Sequence, residues 1–237
     1  LLFLCNHFDF KIILMTATQP LIFESGEFEE ICREEFSNVP DRVTFRRNTE
    51  NPITIAEFRE RMNELISENP QKSILIELNT VATAISVFDS LDGNLNRYFL
   101  SSQIIPLHRK PRIDDIKRDL KEKKPTVVVS TQVIEAGVDL DFDMAVRDIG
   151  PIDSIVQTAG RCNREGKNKV ADSSFFVYRI VDGDNHEFAI RVYGRVAIDI
   201  ARDLLQRQQT IPNLVGNYYE EISNRGRGAT SNDINQG

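Results

Sequence analysis

Residues 126–166 read TVVVSTQVIEAGVDLDFDMAVRDIGPIDSIVQTAGRCNREG, and their pattern decides the architecture. TVVVS is short, β-branched and apolar at consecutive positions, as expected of a strand buried on both faces. A polar turn containing Gly137 follows, and DMAVRDI then repeats the buried-strand pattern. With DSIVQTAGRCNRE the apolar residues shift to helical spacing. Buried strands that alternate with amphipathic helices belong in a parallel sheet with helices on both faces.

The same alternation continues in both directions. KSILIEL, NRYFLSSQII and SSFFVYRIV read as strands. ITIAEFRERMNELISE, TVATAISVFDSL, RIDDIKRDLKEK and RVAIDIARDLLQRQQ read as helices. NVPDRVTFRRNTENP mixes proline, asparagine and charge, and reads as a linker with a short strand; it sets a domain boundary near residue 40. Upstream of it, KIILMTATQP reads as one more buried strand stopped by Thr-Gln-Pro. The expected class is α/β with a doubly wound parallel sheet.

Composition narrows the function classes. With 41% hydrophobic and 27% charged residues, the chain has the balance of a soluble globular protein. Its net charge of −7 argues against indiscriminate nucleic-acid binding but leaves room for a local basic track. No apolar run approaches the roughly 18 residues of a membrane-spanning helix. Cys5, Cys32 and Cys162 lie far apart, which fits neither a disulfide framework nor a zinc site and points to a reducing, cytoplasmic setting. His7, His108 and His186 are equally scattered, so no metal site is expected. The N-terminal LLFLCNHFDF has no initiating methionine and no charged segment before its apolar residues, and the C-terminal end trails off in polar residues. Both ends read as parts of a longer chain.

In an open parallel sheet, chemistry collects beyond the carboxyl ends of the strands. Thr16 and Thr18 follow KIILM, where hydroxyls can meet a phosphate, a carboxylate or merely the local backbone. Asn79 and Thr80 follow SILIEL, where either would cap the next helix and leave its first N–H groups facing an anion. Thr131 follows TVVVS, and Gly137 and Asp139 follow Thr131. That glycine permits close backbone approach, or serves the turn alone, and Asp139 can accept from a ribose hydroxyl or an arginine. HRKPRIDDIKRDLKEKK is the basic-rich stretch. Much of it reads as a solvated face laced with i,i+4 pairs, but the group from His108 and Arg109 to Arg112, ahead of the helix, is free to meet a phosphodiester backbone.

The stretch QTAGRCNREGK poses a sharper problem. Gln157, Arg161 and Arg164 have i, i+4, i+7 spacing, which puts all three on one face of a helix. Two guanidiniums aimed the same way repel unless an anion lies between them, and arginine suits bidentate phosphate recognition. Yet no GxxxxGK[ST] loop occurs in the chain. The arrangement suits arginine fingers that reach a γ-phosphate held by another domain.

TAT, NT, STQVIEAGVDLD and QTAGRCNREG occur in the order and at the distances of superfamily 2 helicase motifs III, IV, V and VI, and QTAGRCNR matches QxxGRxxR. In finer detail, LMTATQP and the whole of VVVSTQVIEAGVDLDFDMAVRDIGPIDSIVQTAGRCNREG resemble the helicase-nuclease of type I CRISPR systems, over about residues 1–180. That resemblance implies two RecA-like domains with ATP and Mg2+ in the cleft between them. Residues 1–40 would be the remnant of the first, with motif III; 41–183 the second, with motifs IV to VI; and 184–237 a C-terminal helix and the start of an accessory region. The phosphate-binding loop, the DExH box and an HD nuclease domain would lie on parts of the protein missing here. By the same resemblance, Arg161 and Arg164 would contact the γ-phosphate, and Gln157 would position nucleotide or water. Gly137 and Asp139 would edge the nucleotide, Thr131, Asn79 and Thr80 would touch nucleic acid, and Thr16 and Thr18 would couple hydrolysis to strand movement. The implied partners are single-stranded DNA and an RNA-guided CRISPR surveillance complex, and no membrane. The alternatives are another superfamily 2 translocase without a CRISPR role, or a non-catalytic nucleic-acid-binding module of the same fold.

Overall fold

The structure, a computed structural model, describes residues 7–8, 42–135, 139–207 and 211–234. From residue 42 onward the elements run β1 (Thr44–Thr54), α1 (Ile55–Glu68), β2 (Ile74–Glu77), α2 (Val81–Ser90), β3 (Arg97–Leu100) and α3 (Pro106–Lys121). There follow β4 (Val127–Ser130), a 3-10 turn (Gln132–Ile134), β5 (Met144–Asp148) and α4 (Ile152–Ala159). A second 3-10 turn (Val170–Asp172), β6 (Ser174–Val181), α5 (Phe188–Tyr193), α6 (Arg195–Gln206) and α7 (Ile211–Ile234) complete the order. Among the described residues six strands form one sheet in the order β1-β6-β5-β2-β4-β3, every neighbouring pair parallel.

Consecutive apolar residues make this sheet two-sided. Successive side chains on a strand point to opposite faces. In β2, Leu75 joins a core with Val128, Ala145 and Phe175, closed by Ile116 of α3, Ile152 and Ile155 of α4, Ile198 and Leu204 of α6, and Leu214 of α7. Its neighbours Ile74 and Ile76 face the other way, onto Phe58 and Met62 of α1 and Ala84 and Val87 of α2. This doubly wound α/β arrangement is the one the sequence pattern calls for.

Three local readings need correction. The supposed linker around residues 44–54 is a full strand, β1, paired to β6 with a register break between Asn48 and Ile53. Pro52 is tolerated because β1 is an edge strand, where a missing N–H costs no central ladder bond. Thr54 ends that strand and caps α1: its hydroxyl accepts from the Glu57 N–H, and the Glu57 carboxylate accepts from the Thr54 N–H at 2.7 Å. Second, His108 and Arg109 do not precede a helix. They sit in the first turns of α3, which starts at Pro106 and carries Pro111 inside it. Pro111 cannot donate to the Leu107 carbonyl one turn back, but Leu107 is 76% exposed, so water can serve that group. Third, the long strand expected over NRYFLSSQII shrinks to Arg97–Leu100.

Between β5 and α4 the chain passes close to a buried side chain. A Cβ on Gly150 would lie 2.7 Å from Nη2 of Arg147, whose guanidinium is fully buried and held on several sides. Gly150→Ala is therefore expected to destabilise the fold by about 1–3 kcal/mol, the usual range for overpacking. Chemical denaturation of the variant beside the parent checks this; equal midpoints would show that the guanidinium can move aside.

Candidate nucleotide and nucleic-acid site

The glycine-arginine stretch folds differently from its helical reading. α4 stops at Ala159, and the Gly160 N–H donates to the Val156 carbonyl as the helix closes. Arg161 and Arg164 lie in the loop beyond, so the shared helical face with Gln157 does not exist. What brings the arginines together is the loop. Asn163 adopts a left-handed conformation (φ 47), as does Gly166 (φ 65); asparagine tolerates this because its short polar side chain bonds locally. The Asn163 amide donates to the carbonyls of Arg42 (2.7 Å) and Asn168 (3.0 Å), and its oxygen accepts from the Asn168 N–H. Phe142 donates to the Arg161 carbonyl and accepts from the Asn163 N–H, so the loop is laced to the chain entering β5. Asp141 accepts from the N–H groups of Arg164 (2.6 Å) and Glu165 (3.2 Å). Arg42 donates to the Arg164 carbonyl.

Within that rigid loop the two guanidiniums have few partners. Arg161 is half-buried; its Nη2 donates to the Glu135 carbonyl at 2.7 Å, while its buried Nε has no partner among the described residues. Burial holds the Arg161 pKa below its ordinary value, and the nearby charge of Arg164 adds to the effect. Arg164 is exposed, with Asp139 at 3.1 Å as its ion-pair partner. Asp139 is itself 76% exposed, so this pair is weak and easily exchanged for another anion. Gln157 sits half-buried on α4, its amide without a partner among the described residues. Gly137, Thr16 and Thr18 lie outside the described residues.

The strand-end residues form a second group. Asn79 is buried, and its amide donates to the Asp148 carboxylate and the Ile149 carbonyl, both at 2.6 Å. Thr80 caps α2, its hydroxyl accepting from the Thr83 N–H. Thr131 is buried beyond β4, with its N–H donated to the Leu100 carbonyl. Asn79 and Thr80 thus shape the ends of β2 and α2 through internal bonds. His108 is exposed and Arg109 half-buried on α3, which packs against β3 at the far edge of the sheet.

A buried ionic network joins these groups. Arg147, fully buried in β5, lies 3.4 Å from both the Glu77 and Glu135 carboxylates and donates to the Thr158 hydroxyl at 2.7 Å. Burial pushes the Glu77 carboxyl up to about 8, with Arg147 pulling it down and Glu135 pushing it further up. Asp148 is pushed up to about 7, again by burial, against bonds from the Ile180 N–H and the Asn79 amide. For Arg147 burial alone would lower the pKa, but Glu77 and Glu135 hold it above the usual arginine value. Of the network's members only Asn79, which accepts from Arg147 Nη2 at 3.5 Å, was singled out from sequence; the charged ones were not. Their signal was a charge where a buried strand should be apolar: Glu77 ending SILIE and Arg147 inside MAVRD.

Two further features bear on the site's chemistry. Cys162 is buried and its thiol pushed up to about 12 by desolvation, so it is no nucleophile. Among the described residues, Asp182, Asp184 and His186 come within 4.8 Å of one another on an exposed turn. Asp182 is already paired with Arg191 and bonded to the Asp184 and His186 N–H groups, and nothing else there points to a cation. No helix of the described residues is long and apolar enough to cross a membrane.

A doubly wound parallel sheet with a glycine-arginine loop laced beside β5 is a RecA-like fold. Residues 70–167 match the family described as CRISPR-associated nuclease/helicase Cas3, C-terminal. The chain is 29% identical to the CRISPR-associated nuclease/helicase Cas3 of Methanothermobacter thermautotrophicus over 218 residues, 86% of this chain and 26% of that protein. Its fold is similar to that of T. fusca Cas3 in its ATP complex (TM-score 0.62, 22% identity, covering 76% of this chain and 24% of that one). It is similar as well to a chain of a CRISPR RNA-guided surveillance complex in the pre-nicking state (TM-score 0.57, 21% identity, 75% and 25% covered). In sequence the chain is similar to these Cas3 proteins, and it spans 26% of the length of that curated relative.

Proposed function

We propose that this chain provides the second RecA-like half of an ATP-driven single-stranded DNA translocase in CRISPR antiviral defence, with Arg161 and Arg164 as its arginine fingers. The observation that carries the reading is the state of these two side chains. They share one pinned loop and feel each other's charge; among the described residues Arg161 keeps a buried Nε without a partner, and Arg164 has only an exposed carboxylate. Two cations so placed are a ready receptor for a polyanion, and the γ-phosphate of ATP fits that chemistry.

On this reading residues 41–183 form the domain proper and 184–237 begin an accessory region, with 1–40 contributed by the first RecA-like domain. ATP and Mg2+ would be held chiefly by that first domain, which supplies the phosphate-binding loop, and the bound nucleotide supplies the phosphoryl group that is transferred. This chain's own part is electrostatic: Arg161 and Arg164 face the γ-phosphate, Gln157 orients the attacking water, and Asp139 releases Arg164 and edges the nucleotide with Gly137. Thr131, with its hydroxyl unbonded among the described residues, is the strongest of the proposed DNA-backbone contacts. Asn79 and Thr80 act by fixing the loops beside it, and His108 and Arg109 extend a basic track along α3. Backbone contacts of this kind bind single strands with little sequence preference. Thr16 and Thr18 would couple closure to strand movement. The whole protein would act in the cytoplasm with an HD nuclease domain and be recruited by an RNA-guided surveillance complex. DNA-stimulated ATP hydrolysis by this chain joined to a P-loop domain, with and without Arg164→Ala, tests the reading.

A further inference from the structure

The buried ionic network does more than staple the core: it grips the candidate finger Arg161 at both ends. The Arg161 N–H donates to the Thr158 carbonyl at 2.9 Å, and its guanidinium donates to the Glu135 carbonyl at 2.7 Å. Those two anchor residues converge on one guanidinium. Arg147 Nη1 reaches the Thr158 hydroxyl at 2.7 Å and the Glu135 carboxylate at 3.4 Å. Each anchor is also secured separately. The Thr158 hydroxyl donates to the Glu77 carboxylate at 2.8 Å, and the Ser154 hydroxyl donates to the other Glu135 oxygen at 3.3 Å. Glu135 therefore ties the turn after β4 to α4 through its side chain while presenting its carbonyl to Arg161.

An arginine side chain has several free torsions, and holding it in one rotamer carries an entropic cost that fixed partners must meet. A finger that stabilises a transition state must be in place before the reaction, since displacement of about 1 Å can cost about 10²-fold in rate. We infer that Glu135 and Thr158 are positioning residues which, through Arg147, set the direction of the Arg161 guanidinium toward the nucleotide. The inference rests on the functional reading above, and extends it to residues that touch no substrate.

The test is a double-mutant cycle on steady-state ATP hydrolysis by this chain joined to a P-loop domain, with thermal melting followed on the same preparations. Glu135→Gln keeps the shape and the bond from Ser154 but removes the charge facing Arg147. The expected result is a kcat lowered by about 10- to 10²-fold with KM for ATP unchanged. Combined with Arg161→Ala, it should add no further loss, because both changes disable one unit. Thr158→Val should behave like Glu135→Gln, and Thr158→Ser, which keeps the hydroxyl, should retain activity; this pair decides if Glu135→Gln does not fold. Unchanged kcat in Glu135→Gln and Thr158→Val, or losses that multiply onto that of Arg161→Ala, would overturn the inference and leave the fingers standing. An Arg161→Ala variant as active as its parent would overturn the functional reading, and this inference with it.

Discussion

Replacing Arg164 by alanine in the joined helicase is expected to lower DNA-stimulated ATP hydrolysis by about 10³- to 10⁵-fold, the range for removal of an arginine finger. The fold should hardly notice. Among the described residues the Arg164 side chain is exposed and bonded only to Asp139, while the loop around it is fixed through its backbone by Asp141 and Arg42. An exposed ion pair of this type contributes about 0–1 kcal/mol, so the melting temperature should move little. That contrast makes the variant informative, because a rate loss with an intact fold cannot be put down to unfolding. Arg161→Ala should lose activity as well. It also frees the Glu135 carbonyl, so the kinetic result is cleaner at Arg164.

Arg147→Met should do the opposite, acting first on stability. It removes the cation from a site where Glu77 and Asp148 are both about 1% exposed and Glu135 is largely covered. Breaking a buried ion pair from one side typically costs about 3–5 kcal/mol, because the remaining charge is left without compensation. The carboxyls respond by holding protons. Glu77 already titrates near 8 in the fold, far above the ordinary glutamate value of about 4.3 that it would have unfolded. Below pH of about 4 both states hold that proton and no penalty arises. As pH rises toward 8 the unfolded chain releases it while the fold retains it, so stability falls across that window. Without Arg147 the Glu77 value climbs further and the fall extends to higher pH. Denaturation midpoints at several pH values, parent against Arg147→Met, measure both effects; equal stability in the two would mean that the network is dispensable.

Much of this architecture was legible because buried parallel strands write themselves as apolar runs. ILIE, VVVS, MAVRD and SFFVYRIV became β2, β4, β5 and β6 with small changes at their ends. β1 was obscured because an edge strand tolerates the asparagines, charges and proline that elsewhere mark a loop. The end of α4 was obscured for a different reason. QTAGRCNR keeps helical spacing, but Asn163 and Gly166, two residue types that tolerate left-handed backbone, turn the chain out of the helix, and bonds to Arg42, Asp141 and Phe142 hold the loop there. Arg161 and Arg164 stand out in the sequence by motif and charge, but the bonds that hold Arg161 do not. Those bonds run to Glu135 and Thr158 and on to Arg147 and Glu77, which lie far apart in the sequence and which the order of β2, β4 and β5 in the sheet brings together.

The claim at the centre of this account is that the chain supplies fingers to a phosphate held elsewhere. DNA-stimulated ATP hydrolysis, measured in parallel for the chain alone, for the chain joined to a P-loop domain and for the joined protein carrying Arg164→Ala, tests it most directly. The account predicts hydrolysis in the joined protein only. Robust hydrolysis by the chain alone, or a parental rate in the alanine variant, would contradict it.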